Sequence, residues 1–310
     1  MSPLSLAGIP QIRAIGASLR RLVAAQRVVA LATERRLICW WQVKAVWRWR
    51  SVDGPSDACV GGMPAQRDAM GEMLAELLFE SDVIGAQLEL LLPLDGVDWR
   101  VLDGVQSDFI DSVLADQDQP LQWPLNPLES YSCVSPCSDG LLAIGVSRSM
   151  LLSWIDMVEQ ADLPLRRVDW ILMSALRTIN YLTVDRARQV AWLFPHGSAL
   201  RLVLIQDGVP EVDHIFSMAD KPLNIVMSEV RRTVSAWQQL MNIRGMLGWW
   251  FSFPDPLQQS FMQLIDIDRD ERLLNQVFDG NIELSDGLHG DEPLEPLEHL
   301  ALLGMLKEMT

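Results

Sequence analysis

The chain has 310 residues, of which almost half are apolar and about a fifth are charged, and its formal net charge is −16. This composition predicts a globular protein with one large or two medium domains. The excess of acidic residues argues against nucleic acid as a partner, because nucleic-acid-binding proteins neutralise phosphates with lysine and arginine. No apolar run reaches the ~20 residues of a membrane span, and no signal peptide is visible, so we expect a cytoplasmic protein.

Positive charge is concentrated at the start of the chain. Up to Arg50 there are nine lysines and arginines and a single acid, Glu34. Within residues 1–26 apolar residues recur at steps of three and four, with arginines off that face, which predicts a short basic amphipathic helix. Such a helix can make a peripheral contact with an anionic membrane surface. The alternative is an N-terminal extension that packs on the protein or stays frayed.

Two parts of the chain repeat the same order of predicted elements. From Arg27, and again from Gln189, three strand patterns separated by short turns precede a helix and an apolar strand. The helices are predicted at 65–80 and 223–240, and the apolar strands at 86–92 and 246–253. This duplication indicates two similar α/β halves, and the two antiparallel starts argue against a plain doubly wound sheet.

The middle of the chain follows a different order. It predicts two strands, a helix, a link and a second, buried helix, at 129–134, 141–146, 147–162 and 168–182. Shorter elements are predicted elsewhere, with helices at 108–115, 256–265 and 295–309 and a strand at 281–284. No piece of this middle stretch carries a catalytic group, so its local pattern is typical of an α/β packing module.

The order of short motifs in this middle stretch is informative. The motifs are Trp123-Pro124-Leu125, Pro127-Leu128-Glu129, Ala161-Asp162-Leu163-Pro164 and Val168-Asp169. In this order they resemble the actin-like type IV pilus assembly proteins of the PilM family, and the likeness extends more weakly from Arg27 to the C-terminus. The resemblance implies an α/β, duplicated actin-like (ribonuclease H-like) fold with a small inserted α/β subdomain.

The same resemblance implies a division of the chain into an extension, two actin-like halves and an insert. The extension would be residues 1–26, and the first half residues 27–93 together with 165–188. The inserted small subdomain would be residues 94–164, and the second half residues 189–310.

The function that the resemblance implies is a non-enzymatic cytoplasmic scaffold of a type IV pilus or DNA-uptake (competence) assembly machine. It would bind the cytoplasmic tail of an inner-membrane pilus assembly protein similar to PilN, in a groove near the inserted subdomain. The residues that we expect to contact this tail are Trp99, Trp123, Pro124, Leu125, Pro127 and Leu128. Docking of this kind uses apolar anchors and exposed strand edges.

In ATP-binding members of the superfamily, two hairpin turns rich in small residues and aspartate face each other across a cleft. The first turn here, residues 32–36, has neither glycine nor aspartate, and the second, residues 194–198, contains a proline. The Gly-Gly expected after the apolar strand at 246–253 is also missing. We therefore expect a degenerate nucleotide site with no catalytic residue and no cofactor. If ATP does bind, the residues left to contact its phosphates are Arg35, Arg36, Gly197 and Ser198.

Two other functions stay open on the sequence. The chain could be a working ATP-binding ATPase or kinase of the actin-like superfamily, which Mg²⁺-dependent nucleotide binding would reveal. It could also be a degenerate member that pairs with a soluble enzyme. No metal site is expected, because Cys133 and Cys137 have no second pair of ligands near them.

Adjacent tryptophans raise a separate question. Trp40-Trp41 and Trp249-Trp250 lie in strand patterns, where neighbouring side chains point to opposite faces. The favoured interpretation is a sheet that is covered on both faces. The alternative is that some of these tryptophans are exposed at an interface.

Overall fold

The computed structural model describes residues 27–33, 36–43, 46–55, 57, 59–83, 86–103, 129–137, 140–183, 187–241, 245–265, 267, 269–274, 288–289 and 293–307. Several predictions lie outside these residues. They concern the N-terminal helix, Arg35, the motif residues Trp123, Pro124, Leu125, Pro127 and Leu128, the helix at 108–115 and the strand at 281–284.

The described strands are given in chain order, followed by the described helices. The strands are β1 (Arg27–Ala32), β2 (Arg36–Val43), β3 (Val46–Asp53), β4 (Cys59–Val60), β5 (Met63–Pro64), β6 (Gln87–Leu92), β7 (Val97–Asp103), β8 (Ser130–Cys137), β9 (Gly140–Ser147), β10 (Leu165–Trp170), β11 (Gln189–His196), β12 (Ala199–Gln206), β13 (Val209–Ser217), β14 (Leu247–Phe251), β15 (Glu271–Leu273) and β16 (Leu288–His289). The helices are α1 (Arg67–Glu80), α2 (Arg148–Gln160), α3 (Ile171–Thr183), α4 (Leu223–Leu240), α5 (Asp255–Leu264) and α6 (Pro296–Lys307).

The first sheet has the order β10-β6-β1-β2-β3-β16. The predicted meander of β1, β2 and β3 is antiparallel, whereas β6 and β10 add to its other side in parallel. β6 is buried at five of six positions, as expected for a strand in the interior of a sheet. Helices α1, α2 and α3 each precede or follow one of the parallel strands.

The second sheet repeats this arrangement. Its order is β13-β12-β11-β14-β15, with an antiparallel meander and two added parallel strands. The order β10-β6-β1-β2-β3 in the first sheet therefore corresponds, strand by strand, to the order β15-β14-β11-β12-β13 in the second. This correspondence confirms the duplicated α/β fold predicted from the repeat. Asp207 and Gly208 form the tight β12–β13 turn, and both have positive φ, which glycine adopts without strain.

A smaller, three-stranded sheet is formed by strands that lie between β6 and β10 in the chain. Its order is β7-β9-β8, so β7 and β8 are both edge strands. Ser147 caps α2 by accepting a hydrogen bond from the Met150 backbone N–H at 3.2 Å, which explains why the helix begins where the sequence predicts it. The sequence pattern did not predict β7.

The residues predicted to form a helix at 168–182 are divided between two elements. Residues up to Trp170 belong to β10, and the helix α3 begins at Ile171. The prediction was wrong for these first residues because Val168 falls in phase with the helical apolar face. In the fold it instead lies beside Leu90 in the parallel pair with β6. Long-range strand pairing here overrides a local helical pattern.

The adjacent tryptophans are all buried. Trp40, Trp41, Trp249 and Trp250 are at most 6% exposed, although the members of each pair point to opposite faces of their strands. Both faces of these strands are therefore covered, and helix α1 packs against β2 and β3. The favoured interpretation, a sheet covered on both faces, is confirmed for these four side chains, and exposure at an interface is not found for them.

The last described helix, α6, packs mainly against α3, which follows strand β10 of the first sheet. Helices α3 and α6 make the most extensive helix–helix contact in the described residues, and β16 pairs with β3. Ser174 and Thr178 on α3 donate hydrogen bonds to the backbone oxygens of Ala301 and Leu300, at 2.6 and 2.8 Å. The domain boundaries given above stay a prediction.

Candidate functional site

A cleft of about 560 Å³ lies where the two halves face each other. Residues of both the β1–β2 turn and the β11–β12 turn line it. The rest of its lining comes from the ends of β3, β6 and β14 and from the first turns of α3, α5 and α6. The apolar part of this lining comprises Leu31, Pro93, Leu94, Ile171, Leu257 and Leu297.

The β1–β2 turn is closed by its own side chains. Thr33 Oγ1 accepts a hydrogen bond from the Arg36 backbone N–H at 3.1 Å, and the Thr33 N–H donates to the Arg36 backbone oxygen at 2.9 Å. The Arg36 side chain lines the cleft and lies 2.5 Å from the Glu298 carboxylate. It also donates to the Pro293 backbone oxygen at 3.4 Å. The predicted phosphate ligand Arg36 is therefore already bound to other parts of the chain.

The β11–β12 turn reaches across the cleft. His196 Nε2 lies 3.0 Å from Asp95 Oδ1, just beyond the end of β6, so this contact joins the second half to the segment that follows β6. Gly197 lines the cleft with a φ of 58°, which suits glycine. Ser198 is exposed next to it and is not part of the lining. Of the four predicted phosphate contacts, Arg36 and Gly197 thus lie in the cleft, and Arg35 lies outside the described residues.

The end of β14 closes a third side of the cleft. Ser252 is buried and its Oγ accepts a hydrogen bond from the Trp192 indole N–H at 3.0 Å. Pro254 precedes helix α5 at its N-cap position. Proline has no backbone N–H, so the start of α5 offers fewer donors to an anion than a glycine-rich turn would.

The charges around the cleft are mostly negative. Four carboxylates, those of Asp53, Asp95, Glu295 and Glu298, face one guanidinium, that of Arg36. In the described part of the chain no three histidine, cysteine or acidic side chains form a group suited to a metal ion.

His299, beside Glu298 in α6, gives a prediction about pH. Burial lowers the pKa of His299, and its Nε2 has no hydrogen-bond partner among the described residues. The folded protein therefore binds this proton more weakly than the unfolded chain. Between the lowered pKa and the ordinary value of 6.5, the free energy of unfolding should rise with pH and fall on acidification.

We expect His299→Leu to weaken this pH dependence, measured by urea unfolding at a series of pH values from about 5 to 7.5. His214→Leu, at an exposed histidine of β13, serves as the control for the loss of an imidazole ring. An unchanged slope in His299→Leu would contradict the assignment.

A second cavity, of about 480 Å³, lies between β7 and the second half. We call it the Trp99 groove. Its two walls are edge strands, β7 of the small sheet and β13 of the five-stranded sheet. Its lining comprises Val97, Asp98, Trp99, Arg100, Val101, Arg201, Glu211, Val212, Asp213, Trp237 and Met241. Trp99, predicted as a partner contact, is half-buried in it.

A buried ion pair forms the floor of the Trp99 groove. Arg201 Nε and Nη2 donate to the two Asp213 carboxylate oxygens at 2.8 and 2.5 Å, and Arg201 is only 5% exposed. The Trp99 indole N–H reaches the same carboxylate at 3.4 Å, which links β7 to β13. The Trp237 indole N–H donates to Glu211 Oε2 at 2.8 Å.

The sequence did not single out Arg201, Asp213 or Trp237. One signal was present, because Arg201 is a lone charge within the otherwise apolar strand pattern of β12. A charge at a position that alternation places inside must find a partner. Which residue supplies that partner is set by the pairing of β12 with β13, and the sequence alone does not reveal it.

Comparisons with known proteins support the fold. No protein-family model and no curated protein matches the chain. The chain is similar in structure to the PilM–PilN type IV pilus biogenesis complex, with 12% identity, a TM-score of 0.57, and coverage of 91% of this chain and 98% of that one.

A second solved structure is also similar. The cytoplasmic domain of EpsL, an inner-membrane component of the type II secretion system of Vibrio cholerae, is 10% identical with a TM-score of 0.50. The aligned region covers 91% of this chain and 95% of the EpsL domain. These likenesses, together with the two equivalent sheets, establish an actin-like fold. Within the described residues, no helix has the length and apolarity that crossing a membrane requires.

Proposed function

We propose that the protein is a non-enzymatic, cytoplasmic scaffold of a type IV pilus, DNA-uptake or related secretion machine. In this proposal it binds the cytoplasmic tail of an inner-membrane partner, and residues 1–26 make a peripheral contact with the membrane. The structures with TM-scores of 0.50 or more support it, because their titles name a pilus biogenesis complex and an inner-membrane component of a secretion system.

The observation that carries the scaffold proposal is the Trp99 groove. It combines a half-buried tryptophan with two edge strands, and edge strands and aromatic anchors are the features with which proteins bind extended peptides. At its α4 end, Leu240 and Met241 are 84% and 49% exposed. We propose that the tail binds in this groove, with Trp99 as an anchor.

The mostly acidic lining of the cleft between the hairpin turns supports the proposal that the protein is not an enzyme. Its only guanidinium in the described residues is bound by Glu298, and its other charged groups are carboxylates. A nucleoside triphosphate entering it would meet like charge. The alternative, an ATP-binding ATPase or kinase, is favoured by one observation, which is that a cleft of about 560 Å³ persists between the two turns.

A binding experiment tests the scaffold proposal. Synthetic peptides with the N-terminal cytoplasmic sequences of the inner-membrane pilus and secretion proteins of the same organism are titrated into the full chain by calorimetry. We expect one class of peptide to bind, and Trp99→Ala to weaken it about tenfold or more, as loss of an aromatic anchor usually does.

The matched control is Phe79→Ala, which removes an aromatic ring that is 76% exposed on α1, away from the groove lining. It should leave the affinity unchanged. Equal losses in both variants, or no binding by any tail, would argue against the proposal. In that case, a thermal shift that requires both ATP and Mg²⁺ would favour an ATP-binding ATPase or kinase. Binding to a soluble enzyme would instead favour a degenerate family member that pairs with that enzyme.

A further inference from the structure

The short segment between β6 and β7 connects the cleft to the Trp99 groove. It comprises residues 93–96. Its first three residues line the cleft, and Val97, the first residue of β7, already lines the groove. A contact that fixes this segment therefore also fixes the start of the groove wall that carries Trp99.

Residues that come before the second half in the chain hold this segment at two points. The Trp170 indole N–H donates a hydrogen bond to the Pro93 backbone oxygen at 2.9 Å. At the other end of the segment, a Cβ atom added to Gly96 would lie 2.4 Å from Met150 Sδ, so α2 packs directly on the backbone there. The segment is thus closely packed on β10 and α2.

His196 reaches the same segment from the second half. Its Nε2 atom lies 3.0 Å from Asp95 Oδ1, and its side chain is only 17% exposed. Its Nδ1 atom is buried and has no hydrogen-bond partner among the described residues. The contact with Asp95 is therefore the polar interaction that the structure shows for this ring.

Two contacts thus span the space between the β7 side and the second half. The first joins Asp95 to His196, and neither residue belongs to the groove lining. The second lies inside the groove, where the Trp99 indole N–H is 3.4 Å from the Asp213 carboxylate. Asp95 and Trp99 are four positions apart, which is at most about 14 Å of extended chain. The separation of the two groove walls is therefore fixed at two nearby points.

We propose that His196, acting through Asp95, is a positioning residue for the Trp99 groove. It ties the β11–β12 turn to the segment that leads into β7, and so keeps the wall with Trp99 at the distance from β13 that a bound peptide requires. A wall that is held in place before binding loses less freedom when the peptide binds. The inference rests on the proposed binding of a tail in this groove, and it adds a residue that lies outside the groove.

Hydrogen–deuterium exchange of the free, full chain, resolved by mass spectrometry, tests the positioning without any ligand. In His196→Leu, the β7 amides that pair with β9 should exchange about two- to fivefold faster, because a partly exposed pair contributes modestly and its loss frees the start of β7. The amides of β11 should keep their protection, which distinguishes release of β7 from a general loss of stability. His196→Gln keeps a donor for Asp95 and should restore most of the protection.

The tail that binds in the calorimetric titration tests the link to binding. Its affinity for His196→Leu should be about two- to fivefold weaker than for the wild type. Adding Asp95→Ala to this variant should cause no further loss, because both changes remove the same contact. Arg188→Ala removes an exposed ion pair with Asp207 in the second half, and as the control it should change neither the exchange of β7 nor the affinity.

Unchanged exchange of β7 in His196→Leu, or an equal rise in Arg188→Ala, would overturn the inference. A tail that binds His196→Leu as tightly as it binds the wild type would also overturn it. If no tail binds the wild type, the proposed function fails, and the exchange experiment alone decides whether His196 positions β7. If His196→Leu does not give a cooperative thermal transition, Asp95→Ala replaces it in both measurements with the same expected results.

Discussion

Replacing Gly304 by alanine is expected to destabilise the protein by about 1–3 kcal/mol, which is the usual range for overpacking a closely packed contact. A Cβ atom at position 304 would lie 1.8 Å from the backbone oxygen of Ser174, closer than any non-bonded contact allows. Backbone atoms cannot move aside as a flexible side chain can, so α3 and α6 must separate. The hydrogen bonds that Ser174 and Thr178 donate to α6 would be strained as well.

Alanine has a higher intrinsic helix propensity than glycine, and this preference alone would make Gly304→Ala stabilising. A pair of variants at an exposed helix position measures that effect as a control. Ser235 lies on the exposed face of α4. There the variant Ser235→Ala should be more stable than the variant Ser235→Gly by up to about 1 kcal/mol. Urea unfolding of all three variants measures both effects. If Gly304→Ala proves stabilising, as that propensity alone would make it, the close approach of α3 and α6 is wrong.

Replacing Asp213 by alanine is expected to cost about 3 kcal/mol of unfolding free energy, since a buried charge that loses its partner is strongly destabilising. Asp213 accepts two hydrogen bonds from Arg201, whose side chain is only 7% exposed. The variant would leave that guanidinium buried without its counterion. It would also remove the carboxylate that Trp99 contacts across the groove.

A double variant distinguishes the unpaired charge from general damage to β13. Arg201→Met with Asp213→Leu removes both charges and keeps apolar volume, so its loss of stability should be much smaller than that of Asp213→Ala. Equal losses in the single and double variants would mean that the ion pair is not the source of the effect. Chemical unfolding followed by tryptophan fluorescence measures all the variants on one scale.

The two meanders and helix α4 were predictable because their patterns are local. Helix α4 spans Leu223–Leu240 as predicted, since its apolar residues recur at helical spacing over five turns. The β2–β3 and β12–β13 hairpins join consecutive strands through short turns, so their pairing follows from chain order. Duplication of this local order was enough to predict the class of fold.

What could not be predicted depends on pairing between distant residues. Strand β10 gains its partner β6 from about 75 residues earlier in the chain, and its short pattern with two arginines is also compatible with a helix. The cleft shows the same limit, because no pattern around Arg36 indicates that Glu298 will bind it. The family resemblance implied which turns line the cleft, but not which charges they meet there.

The return of residues 288–307 to the first sheet has a consequence during synthesis. Strand β3 obtains its neighbour β16, and α3 its neighbour α6, only when these residues leave the ribosome. At roughly 5–20 residues per second, the segment from α3 to α6 takes about 7 to 27 seconds to appear. Throughout that interval the N-terminal half exposes an apolar helix face and an unpaired strand edge, whereas the five strands of the second sheet are contiguous in the chain. Nascent chains that stop before residue 288 should therefore bind chaperones through the first half.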